Sequence, residues 1–496
     1  MTDHSTLNAE RAAAIITRMQ DCHIVVIGDV MLDTFVDGAV NRISPEAPIP
    51  ILRHQNTRHM PGGASNVALN LAHLGAQVTL IGITGHDGPR EMLIDCLAAE
   101  PAITPHLIAD PTRPTTTKTR FTVKGHQLLR VDDEDINPVS ADSMTQMASA
   151  ILSALDTANM VILSDYDKGV VQPHLITLLT NHPRRADFTI LADPKQPDIR
   201  IYDGVDILTP NLSEFDHFCQ YHNITMPQKR HTGASDINAV DHTAQELLGL
   251  ASIGAMITTM SADGILISQK DTPLFHSQSI ARSVFDVSGA GDTVIAHFAA
   301  AISAGANITE AAILANIAAG IVVGKSGTAT VTPGEVLASI HQQQPHNMQS
   351  ILHLITEWKD NNERIVFTNG CFDCLHPGHI CLLQAARDKG DRLIVGLNSD
   401  ASTKRLKGDN RPYQNEMSRV SAIAAMPCVD AVILFEDDTP LNLITQLNPD
   451  ILVKGGDYQP DEIVGADHMK AIGGDVQIIT LRDGYSTTRL NQHKNS

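Results

Sequence analysis

Short apolar runs punctuate the first two thirds of the chain: CHIVVIG (22–28), VTLIGI (78–83), MVILS (160–164), TILAD (189–193) and DILT (206–209). They are rich in β-branched residues, apolar at consecutive positions, and each is followed by turn or polar residues. This pattern predicts strands buried on both faces of a parallel sheet. Between them, NVALNLAHL (66–74) and SMTQMASAILSAL (143–155) have helical spacing. The alternation predicts a wound α/β sheet with helices on both faces. TTTKTRFTVKGHQLLRV (115–131) departs from it, with a Thr-rich alternation around Gly125. It predicts a β flap standing off the main sheet, of the kind that closes over a substrate or pairs two subunits.

The pattern starts again after residue 330, where Pro333, Pro345 and the glutamines 342–344 flank polar text. An amphipathic helix at 348–360 and strands at 365–368, 393–397, 431–435 and 451–453 predict a smaller, Rossmann-like α/β unit. The expected division is a first domain at 1–335, a linker and connecting helix at 336–361, and a second domain at 362–496.

With 496 residues the chain exceeds what one core usually serves. Its 36 Lys and Arg stand against 56 Asp and Glu, a formal charge of −20 that repels nucleic-acid backbones and anionic membranes. No nucleic-acid or membrane partner is expected. A small anionic substrate is still compatible, because a few fixed cations in a cleft outweigh distant charges that salt screens. Met1 to Gln20 lacks the basic start and apolar core of a signal peptide, and the apolar tract 290–324 is interrupted by Asp292, His297, Glu310 and Asn316. Seven cysteines in so large a chain favour reduced thiols and a cytoplasmic location.

The most specific signal of the first half is DVSGAGDT (286–293), which runs into an apolar helix. Gly289, Ala290 and Gly291 leave backbone N–H groups open at a helix start, where partial positive charge collects. Asp292 stands at the lip of that cradle, placed to take a proton from an attacking hydroxyl while the amides stabilise a transferred phosphoryl group. Taken alone, an aspartate here is equally a helix N-cap. Lys168 in SDYDKG and Lys195 in DPK each follow a buried strand, where a lysine either steadies a phosphate or is simply solvated. GIVVGKS (320–326) imitates a phosphate-binding loop but is one residue short and ends a helix instead of starting one.

In the order of these motifs, residues 20–330 resemble the ribokinase-like sugar kinases. The resemblance implies sugar contacts from Asp29, Asp33, Gly62, Gly63 and Asn66, with Lys168 and Lys195 on the same side. It also implies ATP contacts from Asn211, Leu212, Ser213 and Glu214, with Glu214 an indirect Mg²⁺ ligand. Ser261 and Gly264 resemble the nucleotide-side loop, and Asp292 carries over as the catalytic base.

In the second half TNGCFDCLHPGH (368–379) lies between a strand and a helix. His376 and His379, three apart at a helix start, point the same way beside free N–H groups. Lys404, Arg405 and Lys407, then KGGDY (454–458), then Ser486, Thr487 and Thr488 add cations and hydroxyls. Such a set suits nucleotidyl transfer, in which an already ionised phosphate oxygen needs alignment more than a base. Cys371, Cys374, His376, His379 and Cys381 also form a zinc-like string, but a zinc site does not require the glycine before the second His or the distant Ser-Thr-Thr. Cys381 is expected to face a helix core.

Residues 362–490 resemble the HxGH cytidylyltransferase-like superfamily. The resemblance implies phosphate contacts from both histidines and from Ser486 to Thr488. Gly370, Cys371, Phe372 and Asp373 would border nucleotide and substrate, joined by Lys404, Lys407 and Asp457. The two motif sets in this order resemble the bifunctional heptose 7-phosphate kinase and heptose 1-phosphate adenylyltransferase family. That resemblance implies ATP with Mg²⁺, sugar phosphates as small-molecule partners and a product of the ADP-heptose type; the flap points to a homodimer. A different sugar kinase joined to a cytidylyltransferase, and a non-catalytic nucleotide sensor, are the alternatives.

Overall fold

The computed structural model describes residues 7–227, 235–279, 289–325, 329–343, 345–373, 375–456 and 463–479. The chain forms two compact units, one spanning Glu10–Leu337 and the other built from Ala338 onward together with the first residues up to Ala9.

The sheet of the first unit holds β1 (His23–Gly28), β4 (Gln77–Thr84), β5 (Ile103–Ala109), β8 (Met160–Ser164), β9 (Thr189–Asp193), β10 (Ile207–Leu208), β11 (Ala255–Thr259), β12 (Ile265–Gln269) and β13 (Phe275–Ser277). Its spatial order is β13-β12-β11-β10-β9-β8-β1-β4-β5, parallel except where β12 and β13 join. The central strands β1 and β8 are buried almost throughout, which is why they read as unbroken apolar runs. Gly28, Ser164 and Asp193 sit side by side at the carboxyl ends. A Cβ on Gly28 would lie 2.1 Å from the Ser164 carbonyl oxygen, so only glycine lets these two strand ends close up.

A second sheet of four strands, ordered β3-β2-β6-β7, makes the flap from β2 (Val30–Ile43), β3 (Pro50–Gly63), β6 (Thr117–Val123) and β7 (His126–Asp133). The expected segment 115–131 supplies β6 and β7, but the larger half, the hairpin of β2 and β3, went unread. Its pattern hides it: the first five residues of β2 are all buried, whereas the middle of β3, Arg53 to Arg58, is continuously polar and exposed, so neither strand alternates.

The second unit is a five-stranded parallel sheet of β14 (Ile365–Gly370), β15 (Arg392–Asn398), β16 (Ala431–Phe435), β17 (Ile451–Gly455) and β18 (Asp475–Ile479). Its order is β16-β15-β14-β17-β18, so the winding reverses at β14 and opens a crevice at the carboxyl ends of β14 and β17. The helix Met348–Asp360, expected as a connector, buries Ile351, Ile355 and Trp358 against Ile365 and Phe367 and is part of this unit's core. In the phosphate-loop look-alike, the helix Ile308–Val322 ends, and Lys325 Nζ turns back to the Thr330 carbonyl oxygen and to Glu335. Ser326 lies outside the described residues. No helix of the described residues is long and apolar enough to cross a membrane.

Candidate active sites

In the first unit the helix Ala290–Ser303 begins after Gly289, whose φ of 76° is left-handed, and Asp292 occupies its first turn. Asn66, from the helix Ala64–His73, donates from Nδ2 to Asp292 Oδ2 at 2.5 Å. Tyr166, in the loop after β8, donates its hydroxyl to Oδ1 at 2.7 Å. Thr293 and Asn70 extend the contact between the two helices, with Thr293 Oγ1 donating to Asn70 Oδ1 at 3.2 Å. Three segments remote in sequence therefore converge on one carboxylate. Burial pushes that carboxyl up to about 6; the bonds from Tyr166 and Asn66 pull it down, Asp33 pushes it up, and Lys118 pulls it down. A carboxylate poised near the working pH is suited to general base catalysis.

The expected sugar ligands have protein partners of their own. Asp29 is buried and accepts from the backbone N–H groups of Tyr166 (2.8 Å), Lys168 (3.1 Å) and Val170 (3.4 Å). Its carboxylate shapes the loop that delivers Tyr166. Asp33 binds Arg120 at 2.6 Å, and Gly62 leaves room for it, since a Cβ there would stand 2.8 Å from Asp33 Oδ2. Gly63, at φ 55°, lets β3 pass the Asp29 carbonyl oxygen. Lys168 pairs with Glu134 at 2.8 Å and Lys195 with Glu214 at 3.1 Å.

On the nucleotide side, Asn211 caps the helix Leu212–His222 and accepts from the N–H groups of Ser213 and Glu214, while Glu214 Oε2 accepts from Asn211 N. A bridge between Asn211 and Thr259 sets this turn beside the loop of Ser261 and Gly264, both at positive φ. Ser277 O would be 2.0 Å from a Cβ on Gly264. Asp286, Val287 and Ser288 lie outside the described residues. Sequence reading passed over Tyr166, which stands inside the SDYDKG segment, and Asp193, the first residue of DPK. Desolvation, and then the charges of Glu214, Asp292 and Asp165, hold the Asp193 carboxyl well above the usual range.

In the second unit His376 is the N-cap residue of the helix Pro377–Arg387, and His379 lies in its first turn. Their rings stack with centroids 3.7 Å apart and planes 23° from parallel. Phe372, strained at φ 45°, packs edge-on to His379 with centroids 5.1 Å apart. His376 is buried, and desolvation followed by the charge of Lys407 lowers its pKa, so its neutral form is favoured. Lys454, at the end of β17, donates to Asn369 Oδ1 at the end of β14, and burial lowers its pKa to about 8. The motif KGGDY contained this lysine, and the sheet carries it to the crevice.

Asp373 is held by the Arg411 guanidinium and by Tyr413 N at 2.5 Å, and Phe372 is buried. These contacts brace the turn that follows β14. The fully buried Arg419 binds the carbonyl oxygens of Cys371 (2.6 Å) and Asn398 (2.8 Å) and the carboxylate of Asp400 (2.6 Å), so it ties β14 to β15 beside Gly370. Lys404 is exposed and pairs with Asp409 at 3.4 Å. Cys381 is exposed, against expectation, because the helix turns other positions inward. Among the described residues no three His, Cys, Asp or Glu side chains are grouped to hold a metal ion. Cys374, Asp457, Ser486, Thr487 and Thr488 lie outside the described residues.

Residues 21–334 match the pfkB family carbohydrate kinase model, and residues 367–493 match the cytidylyltransferase-like model. Ribokinase from Thermotoga maritima shares the fold of the first unit: TM-score 0.50 at 18% identity, covering 64% of this chain and 99% of that one. So does phosphofructokinase-2 from Escherichia coli, with TM-score 0.52 at 16% identity, covering 64% and 98%. Over nearly the whole chain the similarity is to curated proteins named bifunctional protein HldE. The one from Hyphomonas neptunium is 41% identical over 488 residues, 97% of this chain and 98% of its own. That from Pseudomonas aeruginosa is 41% identical over 478 residues, 95% and 97%. With a carbohydrate-kinase unit and a cytidylyltransferase-like unit in that order, the chain belongs to the bifunctional HldE family, as a sugar kinase and nucleotidyltransferase on one polypeptide.

Proposed function

We propose that the kinase unit phosphorylates D-glycero-D-manno-heptose 7-phosphate at C1 with ATP, and that the second unit transfers AMP from ATP to heptose 1-phosphate. The product is ADP-heptose for the lipopolysaccharide core, once a phosphatase on another chain has acted between the two steps. The observation that carries the kinase reading is the buried Asp292 carboxylate, aimed by Asn66 and Tyr166. It takes the proton of the sugar hydroxyl as that oxygen bonds to the γ-phosphorus of ATP and the bond to ADP breaks. The charge of Glu214 helps hold the Asp193 carboxyl up, and this pair of acidic groups fits a site completed by Mg²⁺ arriving with ATP. Glu214 already engages Lys195 and Asn211 N and suits contact through water. When bound, the ion neutralises phosphate charge.

In the second unit a phosphate oxygen of the sugar attacks the α-phosphorus of ATP, and pyrophosphate leaves. His376, His379 and the helix start they flank can hold the nucleotide phosphates, and Lys454 stands across the crevice. Cysteines present as free thiols support a reducing, cytoplasmic setting. The β7 edge, with exposed Leu128, Leu129 and Val131, supports pairing of two flaps in a homodimer. ADP and pyrophosphate release, assayed separately with the two heptose phosphates and with ATP against CTP, tests the reading. No ADP release with the 7-phosphate, or preference for CTP in the second step, overturns the corresponding half.

A further inference from the structure

Asp33, Phe35 and Asp37 of β2 stand opposite Lys118, Arg120 and Thr122 of β6, and opposite Met60, Arg58 and Asn56 of β3. Asp132 and Arg130 of β7 continue the rows of Lys118 and Arg120. Directly paired residues share a face of a sheet, so this face of the flap carries four cations and three aspartates. Each arginine has a carboxylate: Arg120 with Asp33 at 2.6 Å, Arg130 with Asp132 at 2.8 Å, Arg58 with Asp37 at 3.5 Å. Lys118 is the cation left over. Among the described residues no carboxylate lies within ion-pair distance of its Nζ, whereas Lys168 and Lys195 both have partners.

Its position gives that surplus charge a use. Lys118 is partly buried, and its Nζ lies 5.7 Å from the centroid of the Tyr166 ring. The hydroxyl of that ring is the one bonded to Asp292. A half-desolvated ammonium thus stands one tyrosine away from the base, on the flap that borders the sugar side.

We propose that Lys118 binds the phosphate already present on the incoming sugar and is the residue that selects phosphorylated over unphosphorylated substrates. The proposal rests on the sugar-phosphate reading of the kinase unit. An ammonium offers three donors and a point charge to a phosphate, and a charge-assisted bond of this kind gains strength away from bulk water. A sugar without phosphate leaves Lys118 partly buried and still unpaired, which penalises the wrong substrate.

The test measures ADP release by the full-length chain on matched pairs of sugars with and without a distal phosphate, heptose and its 7-phosphate first. In Lys118→Met the preference for the phosphorylated member should fall by about 10- to 100-fold, the range expected for one charged hydrogen bond. Most of the change should lie in KM for the sugar, with Lys118→Arg restoring part of it. Pyrophosphate release by the second unit of the same chain reports that the variant is folded. An unchanged preference, or equal losses on both members, overturns the assignment. A wild type that prefers another phosphorylated sugar changes only the substrate reading, because the ratio is then taken on that pair. A wild type that accepts no phosphorylated sugar sinks both.

Discussion

The two units place their reactive groups at the same kind of location, a strand end beside a helix start, and fill it with opposite charge. In the kinase unit Asp33 stands near Asp292, Asp193 feels the charges of Glu214, Asp292 and Asp165, and burial raises the Asp292 and Asp193 carboxyls. In the transferase unit His376 has His379 and Lys407 beside it, Lys454 reaches Asn369 at the end of β14, and burial lowers His376 and Lys454. In both, desolvation pushes ionisable groups toward neutrality. The outcome differs because the nucleophiles differ: a sugar hydroxyl has to lose a proton, whereas a sugar phosphate arrives ionised and needs only placement.

The sharpest way to break this contrast is to neutralise the base. Asp292→Asn should lower ADP release by about 10²- to 10⁴-fold, the usual worth of a general base, while leaving pyrophosphate release intact. Retention of kinase activity would show that proton removal is not its task. In the other unit His376→Ala should cost about 10²- to 10³-fold in pyrophosphate release, as for loss of a group that stabilises transition-state charge, with ADP release unaffected. A variant that silences both reactions while folded would collapse the two-site picture.

Asp292 also links the kinase site to stability. Its folded pKa of about 6 lies above the ordinary 3.8, so the folded state binds the proton more tightly than the unfolded one. The stabilising contribution is full below pH ~4 and is lost as pH rises through about 6, a swing on the order of 3 kcal/mol. Chemical denaturation of Asp292→Asn against wild type should therefore show a stability difference that moves in favour of the variant from pH 4.5 to 7.5. A difference that does not change with pH would mean that the carboxyl is not desolvated.

The smallest expected effect concerns Tyr166, whose hydrogen bond favours the ionised base against Asp33 and alongside Asn66 and Lys118. In Tyr166→Phe the acid limb of the kinase pH–rate profile should move up by about half to one pH unit. An unmoved limb with lowered activity would make Tyr166 merely structural.

Much of this was legible along the chain because it is local. Buried parallel strands are uniformly apolar, so β1, β8, β9 and β14 to β17 showed themselves as short runs, and the helix starts at Ala290 and Pro377 were marked by glycine and histidine spacing. Residues whose role depends on remote partners did not show themselves. The part Asp29 plays in holding the 165–170 loop showed only when the fold brought the amides of that loop to it. Tyr166 gained its meaning only when Asp292, more than a hundred residues later, was packed against it, and Lys118 only when it came to lie over the Tyr166 ring. Secondary-structure periodicity and turn chemistry are set by neighbours in sequence. The pairing of charges, and hence which cation is left for a substrate, is set by through-space distance and desolvation, which only the packed chain defines.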